Sequence, residues 1–246
     1  QGVLARAAAA TEAEKSVSVE FTLSGASMPA PVVMTGAIDF DRKVSSFEMD
    51  LSSVAGSLPD AKLDPADAKI EMIVQGTVTY MKMGMLSKLL GDHASWLKID
   101  ASKVPAGSAG AMPGGLPQTG TADPKVALDV LRSQAESVDE LGHESVDGVD
   151  TTHYRAVFDL AKIAEKNGGP SQAELQQALG ELKSTTVTYD IWVDADRLLR
   201  KLTFAADTAQ GAVAAEMRFF DYGKPVDITV PSDADVVDMT KLLGGK

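Results

Sequence analysis

From Ser16 onward the chain alternates with a period of two. Val17, Val19, Phe21 and Leu23 are apolar, with Ser18, Glu20 and Thr22 between them, the pattern of a half-buried strand. Val32–Phe40 continues it with Met34, Ile38 and Phe40 on one face, and Val44–Ser53 with Phe47, Met49 and Leu51. The intervening turn, Asp41–Lys43, is too short for a parallel crossover, so these segments are expected to form an antiparallel meander. Ahead of them the first fifteen residues, QGVLARAAAATEAEK, are alanine-rich with good helix formers and predict a helix.

Further along, Ser57–Ala68 is punctuated by Pro and Asp and reads as a loop. Ile70–Val74 and Thr77–Met83, divided by Gln75-Gly76, read as a strand pair. Met85–Leu90 suggests a short helix and Trp96–Ile99 another strand. Ala101–Ala122 is rich in Gly, Pro, Ser and Ala, with no periodicity, and is expected to be a flexible loop. Asp123-Pro124 then supplies an N-cap followed by proline at the first helical position, and a helix is expected over Asp123–Leu141. A strand around Glu144–Val146 and another over Thr152–Leu160 flank Asp147-Gly148, a hairpin signal. Ser171–Leu182 opens with a Ser171…Glu174 capping box and predicts a helix. Thr185–Val193, Leu198–Ala206, Ala212–Tyr222 and Val226–Val230 read as four closing strands.

The expected fold is α+β: a single large curved, mostly antiparallel sheet, a half-barrel of about 10–11 strands, with helices packed on its concave face. One domain over 1–246 is expected, with 101–122 as its flexible loop, because either half alone would expose a sheet face.

Composition narrows the chemistry. The formal net charge of −12 repels phosphate backbones, so nucleic acid is not an expected partner. With no cysteine, disulfides, thiol catalysis and thiolate metal sites are excluded. Apolar runs fall short of the roughly 20 residues that span a bilayer. The chain starts at Gln1 rather than Met, as expected of a processed chain whose signal peptide is already gone.

No catalytic constellation emerges. His93, His143 and His153 lack the spacing of a zinc site; His153 falls on the face opposite Tyr154, and hairpin packing is the plainer reading. Asp190, Asp194 and Asp196 sit near strand ends and read as solvated carboxylates rather than an acid–base pair. Seryl nucleophile elbows and phosphate loops are absent. No cofactor, no metal and no enzymatic activity are therefore expected. The methionines are more telling: Met34, Met49, Met72, Met81, Met83 and Met85 cluster in the first sheet segment. Thioethers adapt to irregular apolar partners, with core filling as the alternative.

Three stretches carry a family resemblance. Val146-Asp-Gly-Val-Asp-Thr-Thr-His-Tyr154 runs into Phe158-Asp-Leu160; Ile191-Trp-Val-Asp-Ala195 precedes Leu198–Leu202; and Phe220-Asp-Tyr-Gly-Lys-Pro-Val-Asp-Ile228 leads to Val230-Pro231. In order and spacing these resemble the hairpin, strand-pair and C-terminal motifs of the LppX/LprAFG-type actinobacterial lipoproteins, which share the LolA/LolB-like lipoprotein-carrier fold. The resemblance implies a signal peptide with a lipobox cysteine, and a lipid anchor upstream of this chain on the outer face of the cytoplasmic membrane. It also implies an apolar cavity for an acylated lipid or glycolipid, delivered without catalysis and in some members linked to export, so that a membrane transporter is a further partner. The Gly/Pro-rich 101–122 stretch departs from the family by its length. An envelope protein-interaction or sensing module on the same fold, without lipid cargo, is the alternative. Strand alternation and the helix stripe assign the cavity wall to Phe21, Met34, Ile38, Met49, Met72, Leu86, Leu89 and Leu131.

Overall fold

In the computed structural model, residues 2–52, 68–84, 95–103, 123–159, 162, 183–209 and 211–240 are described. The expected loop over 57–67, the short helix over 85–90, the flexible loop from 104 to 122 and the helix over 171–182 lie outside them.

Twelve strands stand among the described residues: β1 (Ser16–Gly25), β2 (Val32–Asp39), β3 (Val44–Asp50), β4 (Lys69–Gln75), β5 (Val78–Met83), β6 (Trp96–Asp100), β7 (Ser137–Val146), β8 (Val149–Asp159), β9 (Thr186–Asp194), β10 (Leu199–Thr208), β11 (Gly211–Phe220) and β12 (Val236–Asp238). Two helices, α1 (Gly2–Glu12) and α2 (Pro124–Gln134), stand among the described residues. The sheet order is β12-β6-β5-β4-β3-β2-β1-β11-β10-β9-β8-β7, so the sheet is open, with β12 and β7 at its edges. β12 runs parallel to β6, and the pairs β2–β3, β3–β4, β4–β5, β5–β6, β7–β8, β8–β9, β9–β10 and β10–β11 are antiparallel.

The chain forms two compact units, neither of them contiguous in sequence. The first comprises Gln1–Glu14, Phe21–Pro31 and Ala122–Phe220. In it α1 packs on α2. Leu4, Ala7, Ala8 and Thr11 of α1 recur at three- and four-residue spacing and are buried, as are Leu128 and Leu131 of α2. Asp123 caps α2, its carboxylate accepting from the Lys125 N–H at 2.8 Å.

The second unit comprises Lys15–Glu20, Val32–Thr121 and Asp221–Lys246. One face of its strands carries a core of Val44, Ile73 and Tyr80, covered by Ile228, with Val226, Val230, Trp96 and Val236 packed around it.

Three expectations need correction. The helix expected over Asp123–Leu141 stops at Gln134, although Leu131, Ala135 and Val138 continue a helical spacing. Ala135 N–H still bonds Leu131 C=O at 3.0 Å, but the next amide, Glu136, donates to Val157 C=O at 2.8 Å and starts the β7–β8 ladder. A sheet edge in reach outweighs local propensity. The strand expected at Glu144–Val146 is thereby extended back to Ser137. Val226–Val230, expected as a strand, has no ladder; its alternation records which side chains face the core. The Arg42 guanidinium binds its Ile228 C=O at 2.8 Å.

Candidate functional site

Register assigns each strand residue of the second unit to a face, because directly paired residues point the same way. Three rows start at β2, the first reaching β5 and the other two β6. Met34, Met49, Ile70 and Met83 make the first; Gly36, Phe47, Met72, Met81 and Leu97 the second; Ile38, Ser45, Val74, Thr79 and Ile99 the third. Only Ser45 and Thr79 among them are polar, and none is ionisable. Met34, Ile38, Phe47, Met49, Ile70, Met72 and Met81 are all buried, at 7% exposure or less. The bare Gly36 is a packing requirement: a Cβ there would collide with the Ser46 carbonyl oxygen and the Phe47 ring.

The opposite face of the same strands is polar at one end. Glu48 lies directly across from Glu71, a like-charge pairing that is offset by Lys69 on Glu48 at 3.0 Å and Lys82 on Glu71 at 2.9 Å. A recess of about 380 Å³ opens there, lined by Thr35, Ser46, Glu48, Glu71, Ile73, Trp96 and Thr229, among others. Its carboxylates make it unlike the apolar cavity expected from sequence.

Of the residues assigned to the cavity wall, Met34, Ile38, Met49 and Met72 share the methionine-rich face. Phe21 and Leu131 are buried within the first unit. Leu86 and Leu89 lie outside the described residues. The expected cavity wall left out Phe47, which alternation had already set beside Met49, and Ile70 and Leu97, which the same alternation could have placed on this face.

The first unit holds a second constellation. On one face of β7–β11, His153 stacks on Trp192 with ring centroids 4.3 Å apart and planes 13° off parallel. Across the ring, Lys201 Nζ lies 4.6 Å from the Trp192 centroid. His153 Nδ1 faces Glu144 Oε1 at 3.0 Å and His153 Nε2 faces Asp190 Oδ1 at 3.1 Å. Trp192 Nε1–H donates to Glu144 Oε2 at 3.0 Å. Arg155 grips Asp190 with two bonds, of 2.8 and 2.9 Å. Lys201 and Arg218 both reach Glu216, at 3.1 and 2.7 Å.

The Trp192 bond above all, then the His153 bond and charge and the Lys201 charge, hold the Glu144 carboxyl below its ordinary range; burial pushes the other way. Burial raises the Asp190 carboxyl, but the bonds from Arg155 and His153 outweigh it and the net shift is downward. The two motifs noticed in sequence, around His153 and around Trp192, are thus partners in one cluster. On the other face of the same strands, Phe158, Tyr189 and Phe204 form an aromatic ladder with centroids about 5 Å apart.

Asp194 departs from its sequence reading as a solvated carboxylate. It is buried, accepts from the Leu198 N–H at 2.8 Å and pairs with Arg200 Nε at 2.6 Å, closing the β9–β10 turn in which Arg197 takes a positive φ of 69°. Among the described residues, no group of three or more His, Asp or Glu side chains is arranged to hold a metal ion, and no helix is long and apolar enough to cross a membrane.

No protein-family model matches the chain. An uncharacterized 31.2 kDa protein of Streptomyces griseus, from the rplA-rplJ intergenic region, is 27% identical over 242 residues, covering 95% of this chain and 77% of that one. Among solved structures, Mycobacterium tuberculosis lipoprotein LppX is similar with a TM-score of 0.53 at 14% identity, covering 93% of this chain and 98% of LppX. LprF of Mycobacterium bovis aligns over 95% of this chain and 96% of its own, at 17% identity and a TM-score of 0.49. The likeness to LppX is one of fold: the chain has the LolA-like fold its motifs pointed to.

Proposed function

We propose that the protein is an exported, non-catalytic carrier that holds an acylated lipid or glycolipid against its methionine-rich face. The observation that carries this reading is the mostly apolar, methionine-rich face of β2–β6, with no ionisable group on it. Methionine's unbranched, polarizable side chain fits partners of irregular outline, and each buried methylene contributes about 0.8 kcal/mol, so a sixteen-carbon chain supplies about 12 kcal/mol before ordering costs. Such cargo needs no precise polar constellation. The fold shared with lipoprotein LppX supports the same reading, as it does attachment through an upstream lipid anchor at the cell envelope and hand-over to a membrane partner.

The test is mass spectrometry of organic extracts from the protein purified from its own host, beside Met49→Trp and Met72→Trp variants. Co-purified lipid that disappears from both variants, while their circular dichroism is unchanged, is the expected result. Lipid-free wild-type protein, with variants that are merely destabilised, would overturn the reading in favour of an interaction module.

A further inference from the structure

The His153 imidazole meets a carboxylate oxygen at each nitrogen. Carboxylates only accept, so both contacts are hydrogen bonds only when the ring carries two protons. A neutral ring presents a lone pair to one of the two oxygens, and one contact must open. The partners differ in their freedom to leave. Asp190 is gripped by both nitrogens of Arg155, its side chain 21% exposed. Glu144 is 53% exposed, takes one further bond, from the Trp192 N–H, and sits on β7, which among the described residues is an edge strand paired with β8.

We infer that His153 is a proton-operated latch: doubly protonated it bridges Glu144 of edge strand β7 to Asp190 of β9, and when neutral it drops its contact with Glu144, which the Trp192 N–H alone then holds to β9. This inference is independent of the cargo reading.

The groups facing the ring are Glu144 from β7, Asp190 and Trp192 from β9, Arg155 two residues along β8, and Lys201 of β10 across the indole. The latch also has an acid limit. Glu144 and Asp190 are both held below their ordinary values of 4.5 and 3.8. Their contribution is therefore present above those values and is lost as the pH falls through the lowered ones. The tie is closed in a window: it tightens as the imidazole takes up its proton and fails when the carboxylates take up theirs.

Trp192 reports the event. With Trp96→Phe leaving it as the sole tryptophan, emission should fall between a mildly alkaline and a mildly acidic buffer, because a stacked imidazolium quenches indole. His153→Gln in the same background should abolish the fall, and His143→Gln should leave it intact. In the wild type, hydrogen exchange of β7 amides, corrected for intrinsic rates, should slow by about fivefold at the lower pH, the size of one partly exposed ion pair. Histidine NMR provides the reading that does not depend on variants. A His153 resonance that titrates with no change in Trp192 emission or β7 exchange would overturn the latch, and so would a fluorescence response that survives His153→Gln.

Discussion

Asp194 shows how much of one residue's role depends on what the chain brings to it. Its neighbours in sequence, Asp190 and Asp196, suggested a solvated acidic end. In the fold its two oxygens are divided between the Leu198 amide and the Arg200 guanidinium. The partner in the ion pair is six residues ahead, on the far side of a turn, and no periodicity announces it. Removing one member of a buried pair strands the other, which costs about 3–5 kcal/mol. Asp194→Ala should therefore lower the urea midpoint by that equivalent, whereas Asp196→Ala, exposed at the turn, should leave it within error. His153 gave a clearer signal. Its alternation with Tyr154 put it on the other face, where it lies, but the carboxylates that flank it come from β7 and β9.

At the scale of elements, period-two alternation located β1 to β6 and β8 to β11 to within a few residues, because each needs one buried face whatever it pairs with. The pattern failed where backbone pairing decided the outcome. Glu136 to Glu140 continues a helical spacing yet joins β8, and Val226–Val230 alternates without a ladder. The three residues of β12 are too few to show any period, so their parallel pairing with β6 left no trace. Within the methionine-rich face, Gly36 was equally silent in sequence. It faces Phe47 in register, and the ring occupies the room a side chain would need. Gly36→Val should destabilise by about 1–3 kcal/mol, the usual cost of overpacking, read as a lower thermal midpoint. Combined with Phe47→Ala it should cost less than the sum of the two single changes, because the ring clash is then absent, while the clash with the Ser46 carbonyl remains.

For the molecule as a whole, each unit is assembled from separated stretches of chain. The second takes Lys15–Glu20 from near the beginning, Val32–Thr121 from the middle and everything after Phe220. The expectation of one domain over 1–246 becomes, in these terms, a proposal that the chain unfolds in a single transition. The closing stretch is essential to the second unit's core, since Ile228 is buried with Val44, Ile73 and Tyr80. Ending the chain at Tyr222 removes Val226, Ile228 and Val230 together. At about 1.5–3 kcal/mol for each fully buried aliphatic side chain, the loss should reach at least about 3 kcal/mol. Chemical denaturation of the shortened chain against the full one measures it, and an equal midpoint would contradict the assignment.

The bonds between the ends of the second unit have a consequence in time. Ser16 takes the Gly223 amide on its carbonyl and gives its hydroxyl to the Lys224 carbonyl, closing a circuit of 208 residues. A ribosome must release all 208 residues of the circuit before it can close. Until then the early strands wait without their cover, and pairings this remote in sequence form late and slowly. Until those last residues emerge, the face that Ile228 covers stays open to water.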